Sequence, residues 1–303
     1  MLPGMLRENR IGAYAAFAAI CIIWGTTFAA IRVAIETIPT FLVAGVRFLI
    51  AGVLLLVIAR LSGARFPQSA REWREQAIAG VLMAGVANTL VVYAEHALSS
   101  GLAALLAATI PIWMAAMEAV VGLSSLTPRK IAGLVLGFGG VGLLVAPAIG
   151  HIDLSLRFLL AVGAMQLNAI CWNGGTLIAR RHRTSGDPMA AAVVQMLAGG
   201  AAMMLAAFAT GEYPTLEMFS LRSSIAVLYL AVLGSVVAYT AYNYAQTKLS
   251  AGSVSSYAYV NPAVAVLTGA LLLREPVTLR MIVSMVIILS GVALIQIGRR
   301  RAV

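Results

Sequence analysis

The chain is cut into long apolar runs of nearly equal length, and this leaves it one class of fold. A helix that crosses a bilayer needs roughly 20 apolar residues. Ten runs of that kind follow one another, at 11–35, 38–61, 76–98, 101–123, 130–147, 156–180, 188–210, 226–247, 252–273 and 277–298. The segments between them are too short for a separate soluble domain. Only 11% of the residues are charged, well below the quarter or so expected of a soluble domain. The expected fold is an all-α polytopic membrane protein of ten transmembrane helices.

The net charge of +10 could suggest a nucleic-acid partner, but the basic residues lie in short clusters between the runs. With the N-terminus placed in the cytoplasm, 15 of the 21 basic residues fall in inner segments. Four, Arg157, Arg222, Arg274 and Arg280, fall in outer ones, and Arg32 and Arg47 lie within spans. Basic residues in short loops mark the cytoplasmic side, so both termini are expected there and no nucleic acid is implied. The first run is read as a span, because it is longer than a leader's apolar core and has a counterpart later in the chain. Cys21 and Cys171 both lie in spans and read as small apolar residues.

That counterpart belongs to an internal repeat. Residues 93–111 align with 244–262, pairing Tyr93 with Tyr244, Gly101 with Gly252 and Pro111 with Pro262. The offset of 151 (262 − 111) persists without a gap to Gly140/Gly291. Nearer the starts of the halves, Trp24 pairs with Trp172 and Arg32 with Arg180, at an offset of 148 (172 − 24). The division is therefore 1–150 and 151–303, five spans each. An odd number makes the second half enter the membrane from the opposite side, giving two inverted-topology five-helix repeats. Such repeats characterise secondary transporters, with a solute site near the midplane.

These residues resemble the drug/metabolite transporter superfamily in its ten-helix EamA-type branch. The resemblance rests on Trp24-Gly25 with Phe28, Arg47-Phe48, the Gly101/Pro111 and Gly252/Pro262 spacing, Arg274-Glu275-Pro276 and Ser290-Gly291-Val292. Ser124 stands where the second repeat has Glu275, a departure from the pattern. The resemblance implies export of amino acids and other small metabolites, and within the branch the sequence is most similar to bacterial aromatic amino acid exporters. It implies a bacterial inner-membrane location. The superfamily's proton-coupled multidrug pumps resemble one another in a membrane-buried acid on the first helix, where this chain has only Glu36 at the outer rim.

Polar side chains within spans usually face the bundle interior or a wet cavity. Spacing places Tyr239, Tyr242, Asn243 and Gln246 on one face of the eighth span, and Asn88 and Glu95, with His96 beside them, on the third. The repeat offset maps Asn88 to Tyr239. Asn168 and Trp172 share a face of the sixth span; Tyr257, Tyr259 and Asn261 precede Pro262, and Trp113 follows Pro111. The expected substrate-binding set is Trp24, Asn88, His96, Trp113, Asn168, Trp172, Tyr239, Tyr242, Asn243, Tyr257 and Asn261. The alternatives are core packing for the tryptophans and interhelical hydrogen bonding for the asparagines. Indole and phenol rings offer apolar area with a polar tip, and amides can serve both carboxylate and amine. Such a cavity suits amino acids with bulky apolar side chains.

Pro111 and Pro262 each remove a backbone hydrogen bond in mid-span and are either hinges or fixed kinks. Arg47 and Glu95 are expected to pair as a structural bridge or gate. Glu95, His96 and Glu118 are the candidates for proton handling. Arg32 and Arg180 are read as snorkelling cations, Tyr14 and Tyr229 as interfacial, and Trp73 as part of a cytoplasmic loop. Gly133 and Gly137 read as a helix-packing surface. An exporter of aromatic or bulky neutral amino acids, working by alternating access, is the first functional reading. A proton-coupled multidrug or organic-cation antiporter is the second. An enzyme is disfavoured, since no H-E-x-x-H, G-x-S-x-G or Cys pair occurs and His151 and His182 fall in loops. A nucleotide-sugar carrier would need more cations in its cavity than Arg47. No metal or cofactor is implied; the implied partners are a small-molecule substrate and the lipid bilayer, and the chain is expected to be monomeric.

Overall fold

A computed structural model describes residues 2–146, 155–181, 186–249 and 257–299. All regular structure among them is helical. Ten helical units follow in order: α1 (Leu2–Ala34), α2 (Thr40–Leu61), α3 (Ala70–Gly80, Val81–Ala87 and Asn88–Ala94), α4 (Ser100–Ala107 and Ile110–Val120), α5 (Pro128–Val145), α6 (Leu156–Arg181), α7 (Pro188–Ala209), α8 (Leu221–Tyr229, Leu230–Val237 and Ala238–Lys248), α9 (Tyr257–Leu273) and α10 (Leu279–Arg299). Among the described residues seven units, α1 to α5, α7 and α8, hold stretches long and apolar enough to cross a membrane. The apolar parts of α9 and α10, Tyr259–Leu273 and Leu279–Ile295, are shorter. Helix α6 is long, but polar and charged residues, Arg157, Gln166, Asn168 and Asn173, interrupt its apolar sequence. Gly252, His151 and His182 lie outside the described residues.

Local signals set the helix starts. Ser69, Ser99, Thr127 and Ser220 each accept a hydrogen bond from a backbone N–H in the first turn of α3, α4, α5 and α8, satisfying a donor that the helix itself leaves open. Trp73 sits in the first turn of α3 rather than in a loop; its indole donates to the Pro67 carbonyl and its ring stacks on Phe66.

The third helix of each half carries the same irregularity. Val81–Ala87 in α3 and Leu230–Val237 in α8 are π-helical turns, lying about one repeat offset apart. A π turn widens the helix and misaligns its carbonyls from the usual donors, so side chains can use them.

Packing follows a pattern that survives exchange of the halves. Helix α2 lies along α7, and α5 along α10. Helix α1 packs on α8 and α9, while α6 packs on α3 and α4. Glycines permit the closest approach. A Cβ on Gly291 would come within 2.6 Å of the Gly133 carbonyl and 2.7 Å of the Gly137 nitrogen, so α5 and α10 meet backbone to backbone, as the small-residue reading expects. Gly199 on α7 lies equally close to the Gly80 carbonyl on α3.

The odd-numbered connections gather at one end of the bundle. Arg222 pairs with Glu36 at 3.1 Å, Thr37 donates to the Met218 carbonyl, Arg157 to the His96 carbonyl and Arg280 to the Ala146 carbonyl. At the other end Arg65 N donates to Asp187 at 2.8 Å, joining the α2–α3 and α6–α7 connections.

Candidate functional site

The π turns, the broken α4, and α1 and α6 border a central cavity of about 230 Å³. One water needs about 10–15 Å³ of such space, so the cavity holds roughly 15 to 23 water-sized positions. Its lining consists largely of repeat mates: Trp24 with Trp172, Arg47 with Gln195, Phe48 with Met196, Met83 with Gly234, Ala84 with Ser235, Asn88 with Tyr239 and Pro111 with Pro262. Thr27, Asn168, Tyr257 and Asn261 add to the polar part of the wall.

The π turns hold several of these side chains in place. Asn88 donates to the Met83 carbonyl and Asn168 to the Ala87 carbonyl, each at 2.8 Å. The Trp24 indole donates to the Gly234 carbonyl at 3.1 Å, and Ser235 Oγ to the Leu230 carbonyl at 3.0 Å. Trp24 is further fixed by an edge contact with Tyr257, ring centres 4.9 Å apart, and a tilted contact with Tyr242 at 5.5 Å. Tyr242 thus stands behind Trp24 instead of lining the cavity. With its amide nitrogen facing the carbonyls of Cys21 and Tyr257, Asn261 makes contacts of 3.1 and 3.2 Å. The side chains of Asn243 and Gln246 lie outside the described residues.

Arg47 lies deep in this wall, 6% exposed. Its Nε donates to Ser235 Oγ at 3.1 Å and one terminal nitrogen to Asn88 Oδ1 at 3.4 Å. Its guanidinium lies over the Phe48 ring at 4.7 Å. The expected Arg47–Glu95 pair does not form. Arg47 faces the cavity from α2, whereas Glu95 sits in the turn beyond the end of α3, where it is fully buried and neither carboxyl oxygen has a hydrogen-bond partner among the described residues. Arg32 does not snorkel freely. It donates to the Glu95 carbonyl and closes the C-terminus of α3.

Trp113 is absent from the cavity wall. Its indole donates to Gln166 Oε1 at 2.9 Å and its ring meets Phe138 edge-on at 5.3 Å, so it packs α4 against α5 and α6. His96 also lies elsewhere. It bonds Thr40 at 3.0 Å and lines a second, charged hollow of about 800 Å³ at the end of the bundle where the odd-numbered connections meet, with Arg32, Glu36, Arg222, Arg274 and Glu275. Glu118 borders neither space. Pro111 opens the second segment of α4 after a break at Ala108–Thr109, but Pro262 sits inside an unbroken α9. The two prolines therefore shape their helices differently. Tyr229 is not merely interfacial, since its hydroxyl lies 2.6 Å from Thr26 Oγ1; Tyr14 is exposed.

Glu95 and His96, expected within the third span, lie beyond its helical end at Ala94, in the α3–α4 turn, and both have displaced proton affinities. Burial, with the Glu275 carboxylate next, holds the Glu95 carboxyl well above its ordinary value, against the pull of Arg32. Burial, then Arg157 and Arg32, pushes the His96 imidazole below its ordinary value.

Gln195 is a cavity residue that helical spacing does not single out, although it is the mate of Arg47 at offset 148 and the offset alone could find it. Its amide donates to Gln76 at 2.7 Å. Thr27, Met83, Met196 and Ser235 also line the cavity, and nothing in the sequence distinguishes them from their many small or apolar neighbours.

Known proteins resemble this chain over nearly its whole length. The chain is 34% identical over 289 residues to the uncharacterized inner membrane transporter YedA of Escherichia coli, covering 94% of this chain and 91% of that one. It is 24% identical to the uncharacterized transporter YvbV of Bacillus subtilis, covering 96% and 93%. It is also 27% identical to the chloroplastic WAT1-related protein At3g02690 of Arabidopsis thaliana, covering 90% and 66%. A solved crystal structure shares the fold with a TM-score of 0.66 at 19% identity, over 95% of this chain and 98% of that chain. The sequence pattern of the EamA-like transporter family matches twice, at residues 11–146 and 159–297, once in each half around the central cavity. The chain therefore belongs to the EamA-like transporter family and is a membrane transporter.

Proposed function

We propose that this protein exports aromatic or bulky neutral amino acids and related small metabolites by alternating access through the central cavity. The observation that carries the reading is the cavity wall itself. Trp24, Trp172, Tyr239 and Tyr257 supply ring surface, and Asn88, Asn168 and Asn261 supply amides, around a space of amino-acid size. Rings of this kind bind apolar side chains and sit over ammonium groups.

The two halves, 1–150 and 151–303, act as inverted five-helix repeats, with both termini cytoplasmic and the protein monomeric in a bacterial inner membrane. Supporting this, the odd-numbered connections meet at one end, and the packing of α1 on α8 and α9 is matched by that of α6 on α3 and α4. Alternating access then consists of rocking the halves about a shared cavity. The organic-cation reading has less support, because no acidic side chain lines the cavity among the described residues.

The test is transport by purified protein in liposomes, with and without a pH gradient, against a panel of amino acids and quaternary ammonium ions. The reading expects saturable movement of Phe, Tyr or Trp. Movement of the quaternary cations alone would overturn it.

A further inference from the structure

We propose that the central cavity selects solutes bearing a carboxylate, which docks on the Arg47 guanidinium between Ser235 and Asn88. This rests on the reading that the central cavity is the solute site, and it specifies which chemical group the solute must carry. The first observation is a charge without a counter-charge. Arg47 is more than nine-tenths buried, yet among the described residues its hydrogen bonds go only to the neutral Ser235 Oγ and Asn88 Oδ1. No carboxylate among the described residues pairs with it or lines the cavity. A buried guanidinium is normally paired, since an uncompensated charge in a low-dielectric interior is costly. Glu95, the acid expected to pair with it, lies beyond the end of α3.

The second observation is asymmetry within a symmetric wall. Gln195 occupies the repeat-related place on the opposite side, where it is bonded to Gln76. The wall is cationic on one side and neutral on the other, with aromatic mates Trp24 and Trp172 at both. A solute with an acid at one end and an apolar ring at the other matches that polarity. Arg47 has donors to spare: its Nε and one terminal nitrogen are engaged by Ser235 and Asn88, while the other terminal nitrogen has no hydrogen-bond acceptor among the described residues. The planar fork of guanidinium suits a carboxylate. A monocation approaching the same wall meets a like charge.

The test is equilibrium binding of four labelled probes to the purified full chain: 3-phenylpropionate, 3-phenylpropionamide, phenethylamine and phenylalanine. The wild type should bind the acid about tenfold or more tightly than its neutral amide, the scale of one charge-assisted hydrogen bond, and should bind the amine least. Arg47→Gln should bring the acid-to-amide ratio close to one, and Arg47→Lys should restore part of it. Equal binding of acid and amide by the wild type would overturn the proposal whether or not the variants fold. So would an unchanged ratio in a folded Arg47→Gln protein. Binding of the acid by Arg47 without binding of phenylalanine would leave this inference standing and count against amino-acid export. Absence of binding by all four would contradict both.

Discussion

Trp172 and Trp113 are chemically alike and both near mid-span, but only Trp172 reaches the cavity. Pro111 borders the cavity, and two further residues turn an α-helix by roughly 200°, which carries Trp113 to the far side of α4 against Gln166 and Phe138. Replacing Trp172 by Ala should weaken solute affinity by about 5- to 30-fold, the equivalent of roughly 1–2 kcal/mol of ring contact, with insertion and melting temperature retained. Trp113→Ala should lower the melting temperature and leave affinity unchanged. Binding and thermal unfolding of the two variants in detergent check both. The repeat makes Trp24 and Trp172 legible, since each appears at the other's offset. It cannot locate Trp113 or Tyr242, whose places depend on the break in α4 and the widening of α8. Arg47 is legible as buried, but its partners Ser235 and Asn88 lie 188 and 41 residues away in sequence, and a distance of that kind leaves no local signal.

Helix ends show the same limit. Glu275 reaches across from the α9–α10 connection to the start of α4. It accepts from Ser100 N at 2.9 Å and from Ser100 Oγ at 2.7 Å. Glu212 does likewise for α2, accepting from Phe41 N and Leu42 N. Both carboxylates satisfy open N–H groups where a helix dipole favours negative charge. Removing the first with Glu275→Ala should cost about 0.5–2 kcal/mol, read as a fall in chemical or thermal stability, with solute affinity preserved in the folded fraction. The Ser99 and Ser69 caps follow from local patterns; these two carboxylates, from other elements, do not.

The α3–α4 turn also predicts a pH profile. His96 holds its proton less tightly folded than unfolded, so its contribution to stability is complete above the ordinary imidazole value near 6.5 and is lost as pH falls through the lowered one. Glu95 has the opposite sign. Its contribution is complete below the ordinary carboxyl value near 4.5 and is lost as pH rises through the elevated one. Melting temperature followed from about pH 5 to 9 should therefore lose its acid-side decline in His96→Gln and its alkaline-side decline in Glu95→Gln. An unchanged profile in both variants would contradict these assignments.

At the scale of the whole molecule, the glycine contact between α5 and α10 ties the ends of the two halves together. The space at Gly291 is bounded by backbone of α5, which cannot give as a flexible side chain would. Gly291→Ala should therefore cost about 1–3 kcal/mol and lower the yield of monodisperse protein. Each of the ten apolar runs overlaps one of the helical units, and among the described residues seven of these units hold stretches long and apolar enough to cross a membrane. The two π turns are not legible in this way: each holds one glycine, Gly85 and Gly234, but glycines also recur through the regular helices. They nevertheless free the carbonyls that hold Trp24 and Asn168. Sidedness is read from the basic residues, and labelling of single cysteines placed at each terminus in intact cells should find both protected from an impermeant reagent.

On the proposed function, solute crosses the membrane through the cavity between the two halves. This is tested most directly by exchange of labelled phenylalanine across liposomes containing either the wild type or Ala107→Phe, a substitution on the cavity wall that fills the space. Saturable exchange is expected of the wild type, and its loss in a variant that elutes and melts like the wild type. Undiminished exchange through the filled protein would contradict it.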